Sequence, residues 1–119
     1  MDRIDLAQKL ATFTQPWSPR IVAEVNDAEI KLAKLQGEFV WHKHEREDEL
    51  FLVLEGRLTM RFRDREVVLE KGQMIVVPRG VEHCPRAEEE AHIMLFEPEA
   101  TLNTGSTESE RTVRELEEL

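Results

Sequence analysis

Short apolar runs separated by turn-forming residues dominate the chain from residue 21 onward. These runs are four to eight residues long and rich in Val, Ile, Leu and Phe, as β-strands are. The predicted strands cover residues 21–26, 29–36, 39–44, 49–55, 58–62, 66–70, 74–77, 83–87 and 91–97. Gly, Asn, Asp or Pro lies between most of them, and the acidic run 88–90 is a further predicted turn. Many short strands at close spacing predict an antiparallel β-sandwich or barrel.

The first twenty residues follow a different period. Their apolar side chains recur at helical spacing and would share one face of a helix over residues 3–13. Asp2 is the predicted N-cap, Asp5 suits the positive first turn, and Pro16 lies beyond the predicted end. The residues with helical spacing are Ile4, Ala7, Leu10 and Ala11. We therefore expect a short helix before the strands.

The chain has 119 residues, the usual size of one domain with a single core. Within this domain we expect an N-terminal helix and arm (1–20), an all-β barrel (21–99) and a polar, acidic C-terminal segment (100–119). That last segment begins with polar residues and ends in TVRELEEL, which suits either a frayed tail or a short helix.

A net charge of −9 restricts the classes of partner. Nucleic acids and anionic membrane surfaces attract clustered Lys and Arg side chains, so neither is expected to bind this chain. The single cysteine, Cys84, excludes an intrachain disulfide, and the sequence contains no run of about 18 uncharged apolar residues. These features favour a cytoplasmic protein.

Two histidines lie one residue apart in the segment FVWHKHEREDELF. Residues two apart on a strand point to the same face, so His42 and His44 would share one face and Trp41 and Lys43 the other. Two imidazoles about 6 to 7 Å apart along a strand can bind one metal ion.

Glu49 begins the next predicted strand, in which both faces are apolar. A carboxylate at the mouth of such a buried strand needs a charge partner or hydrogen bonds, and a metal ion would provide the partner. Further along, Pro78 and Gly80 form a predicted turn, and His83 follows that turn at the start of another strand.

These residues carry a resemblance to the cupin superfamily. Gly37, His42, His44, Glu49 and Gly56 match the first cupin motif, in which a glycine, an HxH pair, a glutamate and a second glycine follow one another. Gly72, Pro78, Gly80 and His83 match the second motif, G-x5-P-x-G-x2-H. The first glycine is one residue closer to the HxH pair than usual, and Ala87 replaces an asparagine that often closes the second motif. The chain looks like a small single-domain cupin of the type often labelled mannose-6-phosphate isomerase-like, a label that rests on the shared barrel.

The resemblance implies a jelly-roll β-barrel with His42, His44, Glu49 and His83 as ligands of one divalent metal. Three imidazoles and a carboxylate suit Mn, Fe, Co, Ni, Cu or Zn better than Ca or Mg. The alternative is a barrel that keeps the motif but binds no metal, with the histidines solvated at its mouth.

Strand parity also predicts what surrounds the site. The expected pocket lining is mostly apolar and has no inward Lys or Arg that could bind a sugar phosphate. Its predicted members are Val40, Phe51, Val53, Met60, Phe62, Met94 and Phe96. Leu50, Leu52 and Leu54 would form an outward apolar stripe, which favours a homodimer.

Two classes of function follow. One is a metalloenzyme of the oxygenase or isomerase type that acts on a small molecule at an open coordination position. The other is a non-catalytic barrel that binds a small ligand or a metal as a sensor or store. A purely structural or partner-binding module would follow if the site binds nothing.

Overall fold

The computed structural model of the protein describes residues 1–99, 101–105, 107, 109, 111–114 and 116–119. Within this part of the chain, one helix precedes seven strands. The elements are α1 (Leu6–Leu10), β1 (Arg20–Val25), β2 (Ala28–Glu38), β3 (Glu49–Glu55), β4 (Arg57–Phe62), β5 (Glu66–Glu70), β6 (Met74–Val77) and β7 (His83–Pro98). The predicted all-β class, with antiparallel strands preceded by a short N-terminal helix, is confirmed.

All strand pairs are antiparallel, and β7 lies at the centre of the sheet. The strand order is β1-β2-β7-β3-β6, and β4 pairs with both β5 and β7. Because the 16-residue strand β7 pairs with β2, β3 and β4, it connects the parts of the barrel that carry the two sequence motifs. Its first residue, His83, lies next to β4 and opposite Phe62.

Several predicted strands agree with the structure, but the acidic run was interpreted wrongly. β3, β5 and β6 have the predicted bounds. β1 and β2 differ by one or two residues at each end, and β4 differs by one residue at its start. Residues 88–90 are not a turn, because β7 runs through them as a continuous strand. Leu35 pairs with Ala91 but Gly37 pairs with Ala87, so β7 contains two more residues than β2 across this interval. The three glutamates therefore form an exposed bulge.

The predicted strand over residues 39–44 is also wrong. The chain there forms only one isolated bridge, between His42 and His83. At the N-terminus, α1 is shorter than predicted and begins after Asp5 rather than Asp2. The Asp5 carboxylate accepts a hydrogen bond from the Gln8 amide at 3.1 Å, and this cap fixes the start of the helix.

Buried side chains form two clusters, one inside the barrel and one under α1. The inner cluster includes Phe51, Val53 and Ile93, and the outer cluster joins Leu10 and Phe13 of the N-terminal arm to Leu32 and neighbouring residues. Leu50, Leu52 and Leu54 alternate with the inner residues of β3 and are half-buried on the outer face, as predicted. The helix covers one end of that face, where Leu54 packs against the outer cluster.

The described residues of the C-terminal segment pack against the barrel and form no helix. Thr101 and Thr104 are buried. The Ile21 amide donates a hydrogen bond to the Glu117 carbonyl at 2.9 Å, and the Leu119 amide donates one to the Ile21 carbonyl at 2.8 Å. The prediction of a frayed tail or a helix also covers five residues that lie outside the described part of the chain: Ala100, Ser106, Glu108, Glu110 and Glu115. The division of the domain into three segments stays a prediction.

The described part of the chain holds no helix with the length and apolar character needed to cross a bilayer.

Candidate metal centre

Three parts of the chain bring the predicted ligands together. His42 and His44 lie in the segment between β2 and β3, Glu49 is the first residue of β3, and His83 is the first residue of β7. Two backbone hydrogen bonds join His42 to His83, at 3.0 and 2.9 Å. The Gly80 amide, in the turn before His83, donates a third bond to the His44 carbonyl at 2.8 Å. The two motifs are therefore connected through their backbones.

The side chains of these four residues form one compact cluster. Each offers one ligand atom, and these atoms all lie within 4.8 Å of one another. Oε1 of Glu49 is 3.2 Å from Nε2 of His44 and 3.5 Å from Nε2 of His83. Two ligands that are each about 2.1 Å from one ion are at most about 4.2 Å apart. The cluster therefore needs only a small contraction to enclose a single ion.

Backbone carbonyls determine which ring nitrogen is free in two of the histidines. Nδ1 of His42 is 2.9 Å from the Val40 carbonyl oxygen, and Nδ1 of His83 is 2.9 Å from the Val81 carbonyl oxygen. A carbonyl can only accept a hydrogen bond, so each Nδ1 donates its proton. The lone pair of each ring is then on Nε2, as in most metal-bound histidines with a hydrogen-bonded second nitrogen.

Four other polar atoms of the cluster have no hydrogen-bond partner within the described part of the chain. They are Nδ1 and Nε2 of His44, Nε2 of His83 and Oε1 of Glu49, all of them buried. Unpaired buried polar atoms are costly, on the order of 1–3 kcal/mol each. A cation would be coordinated by three of these atoms at once, so the residues present fit a metal ion.

Burial and neighbouring charges set the ionisation of the ligands in the form that binds metals. Burial, followed by the nearby His83, lowers the pKa of His42 to about 4, so its ring is neutral at neutral pH. Burial alone would raise the pKa of Glu49, but the adjacent Glu97 carboxyl, His44 and His83 together lower that pKa well below its usual value. A neutral imidazole and an ionised carboxylate are the ligand forms that a divalent ion requires.

A cavity of about 40 Å³ lies beside the cluster. His42, Glu49 and Glu97 contribute its polar wall, and the rest is largely apolar. Trp17 and Phe39 stack in this wall with ring centroids 4.7 Å apart. Its main apolar residues are Trp17, Leu35, Phe39, Phe51, Ile93 and Leu95. A volume of this kind accommodates a few water-sized molecules.

The predicted pocket lining was partly right. Phe51 lines the cavity, Val53 and Met60 are buried in the inner core, and Val40 and Phe62 are partly buried against that core. Met94 and Phe96 were placed wrongly, because they face the outside of β7: Met94 packs in the cluster under α1, and Phe96 is 38% exposed. Their neighbours Ile93, Leu95 and Glu97 face inward instead. The run IMLF is apolar on both faces, so its sequence alone does not determine which face is buried.

Two buried charged residues near the cluster were missed. Lys31 is 1% exposed and Glu97 is 2% exposed, and Nζ of Lys31 is 2.7 Å from Oε1 of Glu97. Lys31 is not among the residues that line the cavity and already pairs with Glu97, so the expectation that the lining offers no Lys or Arg for a sugar phosphate is not contradicted. Lys31 lies in phase with the inward residues Ala33 and Leu35, but Lys34 lies in phase with Leu32 in the same way, so strand parity alone does not distinguish the two lysines.

Comparison with known proteins identifies relatives of this chain. A model of the cupin domain family matches residues 28–97. A cupin-2 domain containing protein from Shewanella frigidimarina NCIMB 400 is 52% identical, with a TM-score of 0.79 over 80% of this chain and 93% of that one. Protein NMB1881 from Neisseria meningitidis is 33% identical, with a TM-score of 0.75 over 82% of this chain and 99% of that one. Uncharacterized protein YdbB from Bacillus subtilis (strain 168) is 43% identical over 67 residues, which are 56% of this chain and 59% of YdbB.

Proposed function

This chain belongs to the cupin domain family, and we propose that it binds one divalent transition metal through His42, His44, Glu49 and His83. The observation that carries the proposal is the convergence of four buried ligand atoms within 4.8 Å. Most of these atoms have no other partner in the described part of the chain. The donor set of three imidazoles and one carboxylate favours Mn, Fe, Co, Ni, Cu or Zn over Ca or Mg.

We further propose that the protein is a metalloenzyme that acts on a small molecule at this site. An ion that takes five or six ligands would keep at least one open coordination position at this site, which would supply Lewis-acid or redox chemistry. The apolar wall formed by residues such as Phe39 and Phe51 would exclude bulk water and bind an apolar part of the substrate.

The charges of the site favour an oxygenase over a sugar-phosphate isomerase. A phosphate group needs a cation that is free to approach it. Lys31 is 1% exposed and its ammonium already contacts Glu97 at 2.7 Å. Among the described residues, those that line the cavity include no Lys or Arg. A small, largely apolar substrate fits this environment better than a phosphorylated sugar.

The small volume of the cavity supports a second candidate function, a non-catalytic sensor or store for a metal or a small ligand. At about 40 Å³, the cavity is too small for a drug-sized molecule. Trp17 of the N-terminal arm and Asn103 of the C-terminal segment both contribute to its wall. An enclosed site of this kind would retain a bound ion without turnover.

Elemental analysis of protein purified without an affinity tag tests the metal site. We expect about one equivalent of a transition metal in the native chain and less than a tenth of that amount in a His42→Ala, His44→Ala variant. His92→Ala is the matched control, because His92 pairs with Glu90 outside the cluster. Equal metal content in all three proteins would disprove the site assignment.

Oxygen uptake distinguishes the two candidate functions. A panel of small aromatic and aliphatic compounds is added to the metal-loaded protein in an oxygen-electrode cell. Uptake that depends on both a compound and the metal supports an oxygenase. Tight binding of a compound without uptake or product, measured by calorimetry and mass spectrometry, supports the sensor or store.

A further inference from the structure

Trp17 is the part of the cavity wall that comes from the N-terminal arm. It is 5% exposed and stacks on the Phe39 ring with centroids 4.7 Å apart. The indole Nε1 donates a hydrogen bond to the Gln36 carbonyl at 2.7 Å, and the Trp17 amide donates one to the Lys34 carbonyl at 2.8 Å. The guanidinium of Arg111 lies over the indole, 5.5 Å from the ring centroid. The indole therefore fills a slot lined by an aromatic face, a cation and a hydrogen-bond acceptor.

The backbone of Trp17 is strained. Its φ is +62°, in the left-handed region that bulky side chains rarely adopt. A conformation of this kind persists only where surrounding contacts fix it. Here these contacts are two hydrogen bonds to β2 and the stack on Phe39. Relief of the strain would offset part of their loss if the indole left the slot, so Trp17 is easier to displace than its contacts suggest.

A ring-sized molecule can enter the cavity only if part of the wall moves. Benzene fits an apolar cavity of about 150 Å³, whereas this cavity measures about 40 Å³. Most of the described residues that line it belong to strands or to the metal cluster, and the exceptions are Trp17, Pro19, Phe39 and Asn103. The Phe39 amide donates to the Pro85 carbonyl of β7 at 3.0 Å. Of the other three, Trp17 has the largest side chain, so its movement would open the most space.

We propose that the slot filled by the Trp17 indole is the binding site of a flat aromatic ligand with an O–H or N–H donor, which enters by displacing Trp17. The inference rests on the proposed function, because it names the class of substrate for the same cavity. The ligand ring would stack on Phe39, and its donor would bond to the Gln36 carbonyl in place of Nε1. Phe39 contacts the His42 ring edge-on, with centroids 5.3 Å apart, so the bound ring would lie beside the metal centre.

Displacement of Trp17 predicts a penalty on ligand binding. If the slot is open in about 1–10% of the native molecules, a ligand binds the native chain about 10- to 100-fold more weakly than a chain whose slot is always open. Trp17→Gly supplies that chain, because glycine adopts a positive φ without strain and leaves the slot unfilled. Trp41→Gly is the matched control, since it removes the other tryptophan, whose ring lies 3.9 Å from the Arg63 guanidinium.

Phenol and anisole are matched probes, and calorimetry on metal-free protein measures their binding. Both are single aromatic rings, but anisole has a methyl group in place of the O–H proton and cannot donate to the Gln36 carbonyl. We expect Trp17→Gly to bind phenol at least about 10-fold more tightly than the native chain and Trp41→Gly do, and at least about 10-fold more tightly than it binds anisole. Equal phenol affinity in Trp17→Gly and the native chain, or equal affinity of Trp17→Gly for the two probes, would overturn the inference.

Fluorescence measures whether phenol displaces Trp17 when the indole is still present. In Trp41→Phe the tryptophan emission comes from Trp17 alone, and it is excited at a wavelength that phenol does not absorb. We expect phenol to shift this emission to longer wavelength, because the buried indole becomes exposed to water, and anisole to leave it unchanged. Both probes are compared up to the solubility limit of anisole. An emission that phenol does not shift in this range would overturn the inference, even if Trp17→Gly binds phenol or fails to fold.

Binding of Co²⁺ to the same Trp41→Phe chain separates this inference from the metal site. A chain that shows the emission shift with phenol but binds no Co²⁺ would disprove the metal function and retain the ligand slot. A chain that binds one equivalent of Co²⁺ but shows no shift would disprove the ligand slot and retain the metal site.

Discussion

The backbones of His42 and His83 are paired by two reciprocal hydrogen bonds, although the residues are 41 positions apart in the sequence. Their ring centroids are 4.2 Å apart as a result. The same pairing joins the segment that carries His44 to the start of β7. The positions of three histidines therefore depend on the fold of the barrel rather than on an ion, and the site is largely formed before any ion binds.

Metal removal should lower stability without unfolding the barrel. Because the cluster leaves buried nitrogen and oxygen atoms of His44, His83 and Glu49 unpaired, an ion that satisfies them binds the folded state preferentially. At a free metal concentration about 100 times the dissociation constant, the added stability is about 2.7 kcal/mol. Differential scanning calorimetry before and after chelator treatment measures it, and circular dichroism should show the same strand content in both states. Unfolding of the metal-free protein at room temperature would contradict a preformed site.

The stability of the metal-free protein should fall below about pH 6. The pKa of His42 is about 4 in the folded state and about 6.5 when unfolded, so between these values the unfolded chain binds a proton that the folded chain does not. Stability therefore rises with pH through this window and is lost as the pH falls. From about pH 7 to about pH 4.5 the loss due to His42 is about 2 to 3 kcal/mol.

Urea unfolding at the two pH values measures this loss. His42→Gln is the reference variant, because glutamine keeps a polar group but does not titrate. Between the two pH values the free energy of unfolding should fall by about 2 to 3 kcal/mol more in the native chain than in His42→Gln. The other titrating groups contribute to both proteins, so they do not change this difference. Equal slopes would show that the His42 ring does not carry the effect.

The four candidate ligands could be predicted as a set because two short segments of the sequence resemble the two cupin motifs. The alternation of His42 and His44 and the turn before His83 are each visible within a few residues, and the structure places these side chains together with Glu49. Lys31 was missed for a physical reason. In β2 each face carries both a lysine and apolar residues, with Lys31 beside Ala33 on one face and Lys34 beside Leu32 on the other. The sequence therefore did not show which lysine is inside the barrel.

The bulge at residues 88–90 could not be predicted because its cause lies elsewhere in the chain. Three consecutive glutamates suggest a turn, but the strand continues because β2 pairs on both sides of them. Gly56, which lies between β3 and β4, approaches this bulge closely. A Cβ atom at Gly56 would lie 3.0 Å from both the Ala91 Cα and the Glu90 carbonyl oxygen, so the position needs glycine for space as well as for its φ of +87°.

Substitution of Gly105 should loosen the C-terminal segment over the metal centre. Gly105 has a φ of +59°, and a Cβ atom there would overlap the Lys43 carbonyl oxygen next to His42. Because backbone atoms block the space, the segment must move away in Gly105→Ala. We expect a loss of about 2–4 kcal/mol in the free energy of unfolding and faster removal of metal by a chelator.

Gly37→Ala is the control for this variant. Gly37 also has a positive φ, of +82°, but a Cβ atom there would meet no other atom within 4 Å. The free energy of unfolding of Gly37→Ala should fall by only about 1 kcal/mol, which is the cost of the backbone conformation. The variant should release metal at the native rate. Equal effects of the two substitutions would show that the contact between Gly105 and Lys43 does not restrain the segment.

The homodimer stays a prediction, and the outer face of the sheet offers a surface for it. β6 pairs with β3 at one end of the strand order, and its Met74 and Val76 are 59% and 51% exposed. Leu50 pairs with Val76 on one side and with Phe96 on the other, so these side chains form one continuous apolar patch. An apolar patch that includes an edge strand favours association with a second copy of the same surface.

Val76→Lys should convert the dimer to a monomer, because two lysines would face each other across a two-fold interface and their charges would lose solvent. Val68→Lys is the matched control, since Val68 is also 51% exposed but lies on β5, away from the patch. Sedimentation velocity at about 10 μM protein measures the mass of each. We expect a dimer for the native chain and for Val68→Lys, with the dissociation constant of Val76→Lys raised at least about 100-fold. A monomeric native chain would disprove the dimer, and a dimeric Val76→Lys would exclude this face as its interface.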